Sequence, residues 1–443
     1  MLNFQIKLIF IVKNIFLKMN INITENQYNN LILNEAENIA YNRSNAKEPN
    51  LKAIWAAIDS KQKMLQQEVF GELSEKIYDI TIEKAKSMGE EYMQIPNNIC
   101  NAGNDKLPSS VLIINMSSSL MCPSYYLGIC TITNGACYAQ RAENQYSAKG
   151  KSSVLTNRWK TDLMHTQMLQ QYQHGNKKPM KDYFNLIETY IQLGNAYSEN
   201  LYKKELQRMQ LRLGRELTQQ EKDFLRIQQS ENKITDVRIN ETGDFQCQLA
   251  VDLWSKFAAK IKKKYGINTH AYTARNLDFS KAVGNMAINP SHEGINLGNV
   301  QPRMFKAVGE KFYNSLQGGD QVKNRQPILG EINGKFFYKC PCSRGETHCD
   351  QCGVCFAKNQ TGKPYTIYVK YHGLVAANGF KNLFKKDEIE KVIEKLYQNG
   401  WITEEEYKSY NSPKQQNFLN KISANIEKQR NPKVKTKRKK AKK

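Results

Sequence analysis

Apolar residues recur at three- and four-residue steps through Leu51, Ile54, Trp55, Ile58, Leu65, Val69, Leu73, Ile77 and Ile80. That is an amphipathic helical period, and Gly71 divides it into two helices between residues 50 and 93. The pattern then changes. Val111, Leu112, Ile113 and Ile114 form an unbroken apolar run stopped by Met116 and three serines, which predicts a fully buried strand over residues 111–115. Residues 141–195 return to helical spacing, with Leu163, Met164, Met168, Phe184, Ile187 and Ile191 as the apolar positions. Residues 196–232 are polar and helix-forming. Gly214 stops one helix there, and Thr218 with Glu221 makes a capping box for the next, so the stretch predicts an inserted, solvent-facing helical hairpin.

Strand and helix patterns then alternate. Strands are expected at 234–240, 267–273 and 287–290, and a helix at 247–263 with Leu249, Leu253, Phe257 and Ile261 on one face. A further strand is expected at 365–370. Asp387 is expected to cap a helix ending at Gly400, and Thr403 with Glu406 forms a second capping box. Alternating strands and helices predict an α/β fold with a parallel sheet, a barrel or partial barrel with helical insertions. The organisation is then a leader (1–18), a helical N-terminal region (19–104), an α/β core (105–380) with its insertion at 196–232, C-terminal helices (381–429) and a basic, disordered tail (430–443).

Charge changes the picture less than its size suggests. The formal net charge is +23. Nine Lys/Arg and no acid lie between Arg430 and Lys443, and three lysines and no acid in residues 1–18, so only +11 remains for the rest. A tail of this kind favours nucleic acid by releasing counterions. No run of about 18 uncharged apolar residues occurs, which argues against a membrane partner. The apolar stretch Leu8 to Val12 is shorter than the roughly seven residues a secretory core needs, so a cytoplasmic chain with reduced or metal-bound cysteines is expected. A start at Met19 would leave residues 1–18 outside the native chain.

The ten cysteines carry the candidate chemistry, and eight fall in two groups. The second group contains Cys340, Cys342, Cys349, Cys352 and Cys355. Cys349-x2-Cys352-x2-Cys355 has the local spacing of a bacterial ferredoxin iron–sulfur run, with Cys340 or Cys342 as the fourth ligand. The distal Cys-Pro of the full signature is absent. Zinc is the alternative, held by the pairs 340/342 and 349/352. His348 is read as a loop residue beside sufficient thiolates.

The first group, Cys122, Cys130 and Cys137, follows directly on the first buried strand. Either Cys100 completes a closed site or one metal position stays open for substrate. Three thiolates at this place are similar to those of radical S-adenosylmethionine enzymes, although the gaps here are seven and six residues rather than three and two. Buried free thiols are the bland reading. Near the end of the strand at 234–240, Arg238 and Asn240 share a face by alternation. A charge within a parallel strand needs a partner, which Glu241 can supply. Arg238, Glu241 and Asp244 are the candidate pocket residues, with Asp244 also readable as a helix N-cap. Cys247 is read as core, His270 as a strand residue in the core and His292 as better placed for function. His165, His174 and His372 are read as surface or packing residues. No phosphate-binding loop, nucleophile elbow or His-Glu-x-x-His motif occurs.

Met121-Cys-Pro-Ser124, Cys130, Cys137-Tyr-Ala139, Val237-Arg-Ile-Asn-Glu-Thr-Gly-Asp-Phe245, Tyr272-Thr273 and Cys349-x2-Cys-Gly-x-Cys355-Phe356 occur in this order. Over about residues 105–375 the chain thereby resembles the phage "gene product eighty-eight" family of phages, plasmids and other mobile elements. The resemblance implies a setting rather than an activity, and it joins both cysteine groups and the Arg238 strand end within one domain. The expectation is a mobile-element metalloprotein with cysteine-ligated iron–sulfur centres, of redox or radical type. The rival is a non-catalytic, zinc-stabilised nucleic-acid-binding protein.

Overall fold

The structure, a computed structural model, describes residues 48–70, 83, 94–96, 99–104, 107–114, 116, 122–129, 152–230, 233–300, 302–319, 322–323, 326–341, 349–356, 362–370, 386–413, 415–417 and 420. The expectations for the second N-terminal helix, for Cys130, Cys137, Cys342, His348 and His372, and for the leader and tail lie outside these residues.

Helix α1 (Pro49–Phe70) buries Leu51, Trp55, Ile58, Leu65 and Val69, the face its spacing predicts. Strands β1 (Cys100–Ala102) and β2 (Val111–Ile114) pair antiparallel. The one-turn helix α2 (Pro123–Tyr126) follows, then the long α3 (Ser152–Gln173) and α4 (Lys178–Leu213). The expected insertion is a hairpin of α4 and α5 (Gln219–Ser230), but its first arm is no separate helix. Helix α4 runs unbroken past residue 196 and stops at Gly214, whose φ of 63° provides a left-handed cap. At 36 residues it is about 54 Å long. Its outer part has its own small core of Tyr202, Leu217 and Leu225, and Glu221 accepts from Thr218 as the capping box requires.

Strand β3 (Asp236–Ile239) is shorter than expected, because Asn240 has φ 54° and leaves the extended conformation. Helix α6 (Gln248–Tyr265) begins after Cys247, which occupies its N-cap position, so Asp244 does not cap it. Three lysines in its last turn suit the helix dipole. Strands β4 (Asn268–Thr273) and β5 (Ala287–Pro290) complete a five-stranded sheet ordered β1-β2-β3-β4-β5, parallel from β2 onward.

A second sheet holds β6 (Arg303–Val308), β11 (Tyr365–Lys370), β10 (Lys335–Lys339) and β9 (Gly330–Ile332) in that order, with only β9 antiparallel. Only β11 was expected in it. Helix α7 (Glu310–Ser315), the ribbon of β7 (Val322–Lys323) and β8 (Gln326–Pro327), and one turn of helix, α8 (Cys349–Cys352), lie between these strands in sequence. Helices α9 (Lys386–Gln398) and α10 (Glu404–Asn411) end the described part. Asp387 sits in the first turn of α9 rather than ahead of it, whereas Thr403 and Glu406 cap α10 with a complete capping box. The chain is therefore mixed α/β with two mostly parallel sheets.

Strand alternation gives the first sheet two faces. Leu112, Ile114, Val237, Ile239, Ala271 and Ile288 join the main core with side chains of α1, α3, α4 and α6. The opposite, inner face carries Val111, Ile113, Arg238, His270, Tyr272 and Asn289. Registry aligns Ile113 with Arg238, Arg238 with His270, and Tyr272 with Asn289. This inner face positions the candidate site.

Candidate metal centre

The loops after β2 and β3 are tied together. Cys122 is buried just ahead of α2, with Pro123 opening the helix. The Ser124 hydroxyl donates to Asp244 Oδ2 at 2.8 Å. Asp244 also accepts from the Thr273 hydroxyl (2.7 Å) and from the backbone N–H groups of Ala274 and Phe245 (2.8 Å each). Burial holds its carboxyl above the ordinary range, although these bonds and the Arg275 charge oppose the shift. Asp244 thus joins the first-group loop to the ends of β3 and β4. Its full set of partners reads as structural.

Glu241 and Arg238 lie in a different environment. Arg238 Nη1 is 3.9 Å from Glu241 Oε1, and its guanidinium lies 4.9 Å from the Tyr272 ring centroid. Arg158 of α3 approaches Glu241 Oε2 at 3.6 Å, and Asn104 donates to Glu241 as well. Glu241 and Asp244 share none of these partners. Arg238 and Glu241 are brought together at the β3 end, and Asp244 is directed elsewhere.

The second group is seated against both sheets. Cys340 directly follows β10 and donates its N–H to Tyr368 O at 2.9 Å. Cys349 and Cys352 begin and end α8. Gly353, with φ 65°, then turns the chain so that Cys355 returns toward them. Cys340 and Cys352 belong to one apolar cluster with Tyr338, Val354, Tyr365 and Ile367, and Cys349 and Cys355 pack against it. Cys349 and Phe356 also pack on Val111 and Ile113 of the first sheet.

Polar side chains of the strands hold this turn by its backbone. Arg303 donates to Val354 O at 2.8 Å and Asn289 to Cys355 O at 3.1 Å. The Phe356 ring sits 4.3 Å from His270. Tyr338 Oη is 3.3 Å from Cys352 Sγ. Burial pushes the Cys355 thiol well up, and the neighbouring Cys340, Cys349 and Cys352 push it further. Among the described residues no three His, Cys, Asp or Glu side chains converge as a metal-binding group. The four thiols share one apolar cluster, and Cys340, Cys349 and Cys352 act on the charge of Cys355.

The remaining candidates separate from this site. Cys100 sits on β1 in the helix-packed core, where burial raises its thiol. Cys122 is no member of that core cluster. Cys247 is buried at the start of α6 and pushed up to about 11, chiefly by burial. His292 accepts from Gly294 N–H and contacts Ala274 O, which is a turn role. His165 is fully buried, the packing alternative of its two readings. Residue patterns missed Tyr272, Tyr338, Asn289 and Arg303 as parts of the site. The available signal was alternation, since Tyr272 lies two residues beyond His270 on the same strand face. Comparison with protein-family models, curated proteins and solved structures gives no match to this chain.

Proposed function

We propose that this chain is a mobile-element metalloprotein of redox or radical type. Its cysteines 340, 349, 352 and 355 would hold an iron–sulfur centre, with Cys342 as the alternative fourth ligand. The observation that carries the reading is the gathering of these four thiols in one apolar cluster between the inner faces of two sheets. The donor set fits the group, because thiolates are the ligands of such clusters and apolar surroundings limit water access. The Cys349-x2-Cys352-x2-Cys355 spacing favours iron–sulfur over zinc. When bound, such a centre supplies one-electron chemistry.

The chain's own residues would do the rest. Arg303 and Asn289 hold the turn that carries Cys352 and Cys355. Arg238, paired with Glu241, offers a charge on the inner face to an anionic substrate group. Cys122, with Cys130 and Cys137, would form the reactive site at the end of β2. The proximity of β5 and β6 supports a continuous, curved arrangement of the two sheets, the partial barrel on which such a site is expected. The family resemblance supports the phage and plasmid setting.

The nine-charge tail favours a second reading, a zinc-stabilised nucleic-acid-binding protein. Anaerobic purification with iron, sulfide and zinc analysis and an absorption spectrum separates the two. The expected result is a coloured protein with iron and sulfide that loses its colour in the Cys349→Ser variant. A colourless protein with stoichiometric zinc defeats the iron–sulfur reading, and one with no metal defeats both.

A further inference from the structure

We infer that Tyr338 is a positioning residue for this centre: it donates a hydrogen bond to the Cys352 sulfur and so sets how much electron density that thiolate gives the metal. The inference rests on the reading that Cys352 and its neighbouring cysteines hold a metal.

Tyr338 lies on β10 and is 1% exposed, so its ring has one setting in the cluster. Its hydroxyl is 3.3 Å from Cys352 Sγ. In a neutral pair either atom can donate. A metal-bound cysteine is a thiolate without a proton, so the tyrosine must then be the donor. Such a bond stabilises the sulfur lone pairs and weakens their donation to the metal.

The backbone bonds from Arg303 to Val354 O and from Asn289 to Cys355 O fix the segment that follows Cys352, so the Tyr338 hydroxyl meets a sulfur held at a defined place.

Cobalt(II) tests this whichever metal is native. The full-length chain is stripped of metal anaerobically and titrated with cobalt, and the thiolate-to-cobalt charge-transfer band is recorded in the near ultraviolet. Tyr338→Phe keeps the ring volume. It is expected to bind the same amount of cobalt and to move the band to longer wavelength. In a Cys352→Ser background, Tyr338→Phe should add no shift. If the wild-type protein shows the band and the Tyr338→Phe variant superimposes on it, the inference is overturned while the metal reading stands. If the wild-type protein shows no thiolate–cobalt band, the cysteine ligands themselves are refuted, and this inference with them.

Discussion

His165 packs in the core between α3, α4 and α6, stacked on Trp254 with ring centroids 5.9 Å apart and meeting Tyr183 edge-on. It is 1% exposed, and neither ring nitrogen makes a hydrogen bond. Burial drives it down to about 3, with Gln246 alongside opposing the drop. The unfolded chain takes up this proton near pH 6.5, whereas the folded chain refuses it until about 3. The unfolded state therefore binds more protons across that window, and stability is lost as pH falls through it. One such group costs about 2 kcal/mol between about pH 7 and about pH 5. His165→Phe keeps the stacking and removes the proton. Urea melts at the two pH values should show an acid loss smaller by about that amount, and an unchanged loss would refute the account. His165 shows what spacing leaves illegible. An imidazole on a polar helix reads equally as surface or packing, and only the aromatic side chains of α4 and α6, distant in sequence, decide for the core. Asp244 teaches the same at the site. Its place three residues before Cys247 suggests a helix cap, while its partners Ser124, Thr273 and Ala274 come from two other loops.

Among elements, the parallel strands of the first sheet and the amphipathic helices were legible because each carries its own period. Helix α3 was less so. It is buried almost all round although its sequence is polar, including Thr161, Asp162, Thr166 and Gln167, so tertiary partners rather than an apolar stripe decide its place. The second sheet was mostly missed. Lys306 interrupts β6, and lysines flank the Phe-Phe-Tyr run of β10. Yet Asn333-Gly334, with φ values of 51° and 74°, joins β9 to β10 as a two-residue hairpin turn, a signal present in the sequence and not read. Missing that sheet hid half of what seats the cysteines. The hairpin of α4 and α5 is the converse case, since its two helical arms, the stop at Gly214 and the capping box at Thr218 were legible. Its core is private, and Arg215 and Glu221 pair within it at 2.8 Å. Replacing residues 206–229 by a short glycine-containing turn should therefore leave metal content unchanged and the melting temperature within a few degrees of wild type. Loss of cooperative unfolding in that variant would show that the hairpin supports the core.

At the scale of the whole molecule, the described parts interlock through a few buried polar ties. Arg275, fully buried beyond β4, spends all five N–H donors: on both Glu406 carboxylate oxygens (2.7 and 2.8 Å) and on the carbonyls of Phe245, Gln246 and Trp401. Burial raises the Glu406 carboxyl, but the guanidinium outweighs it and holds the group below the ordinary range. The C-terminal helices are thereby fastened to the strand ends. No helix among the described residues is long and apolar enough to cross a membrane. The net charge belongs to a different layer of organisation, since nine of its positive residues follow Gln429. If that tail contacts single-stranded nucleic acid, each phosphate it neutralises adds about 0.7 to the slope of log affinity against log salt. Full-length chain and a truncation after Gln429 can be compared by fluorescence anisotropy on a labelled oligonucleotide across a salt series. The full chain should bind more tightly at low salt, with a slope steeper by several units and by no more than about 6. The truncated chain should keep the same metal content, because every cysteine precedes the tail. Equal slopes for the two chains would remove the tail as a nucleic-acid contact, and with it the source of affinity that the zinc-stabilised reading requires.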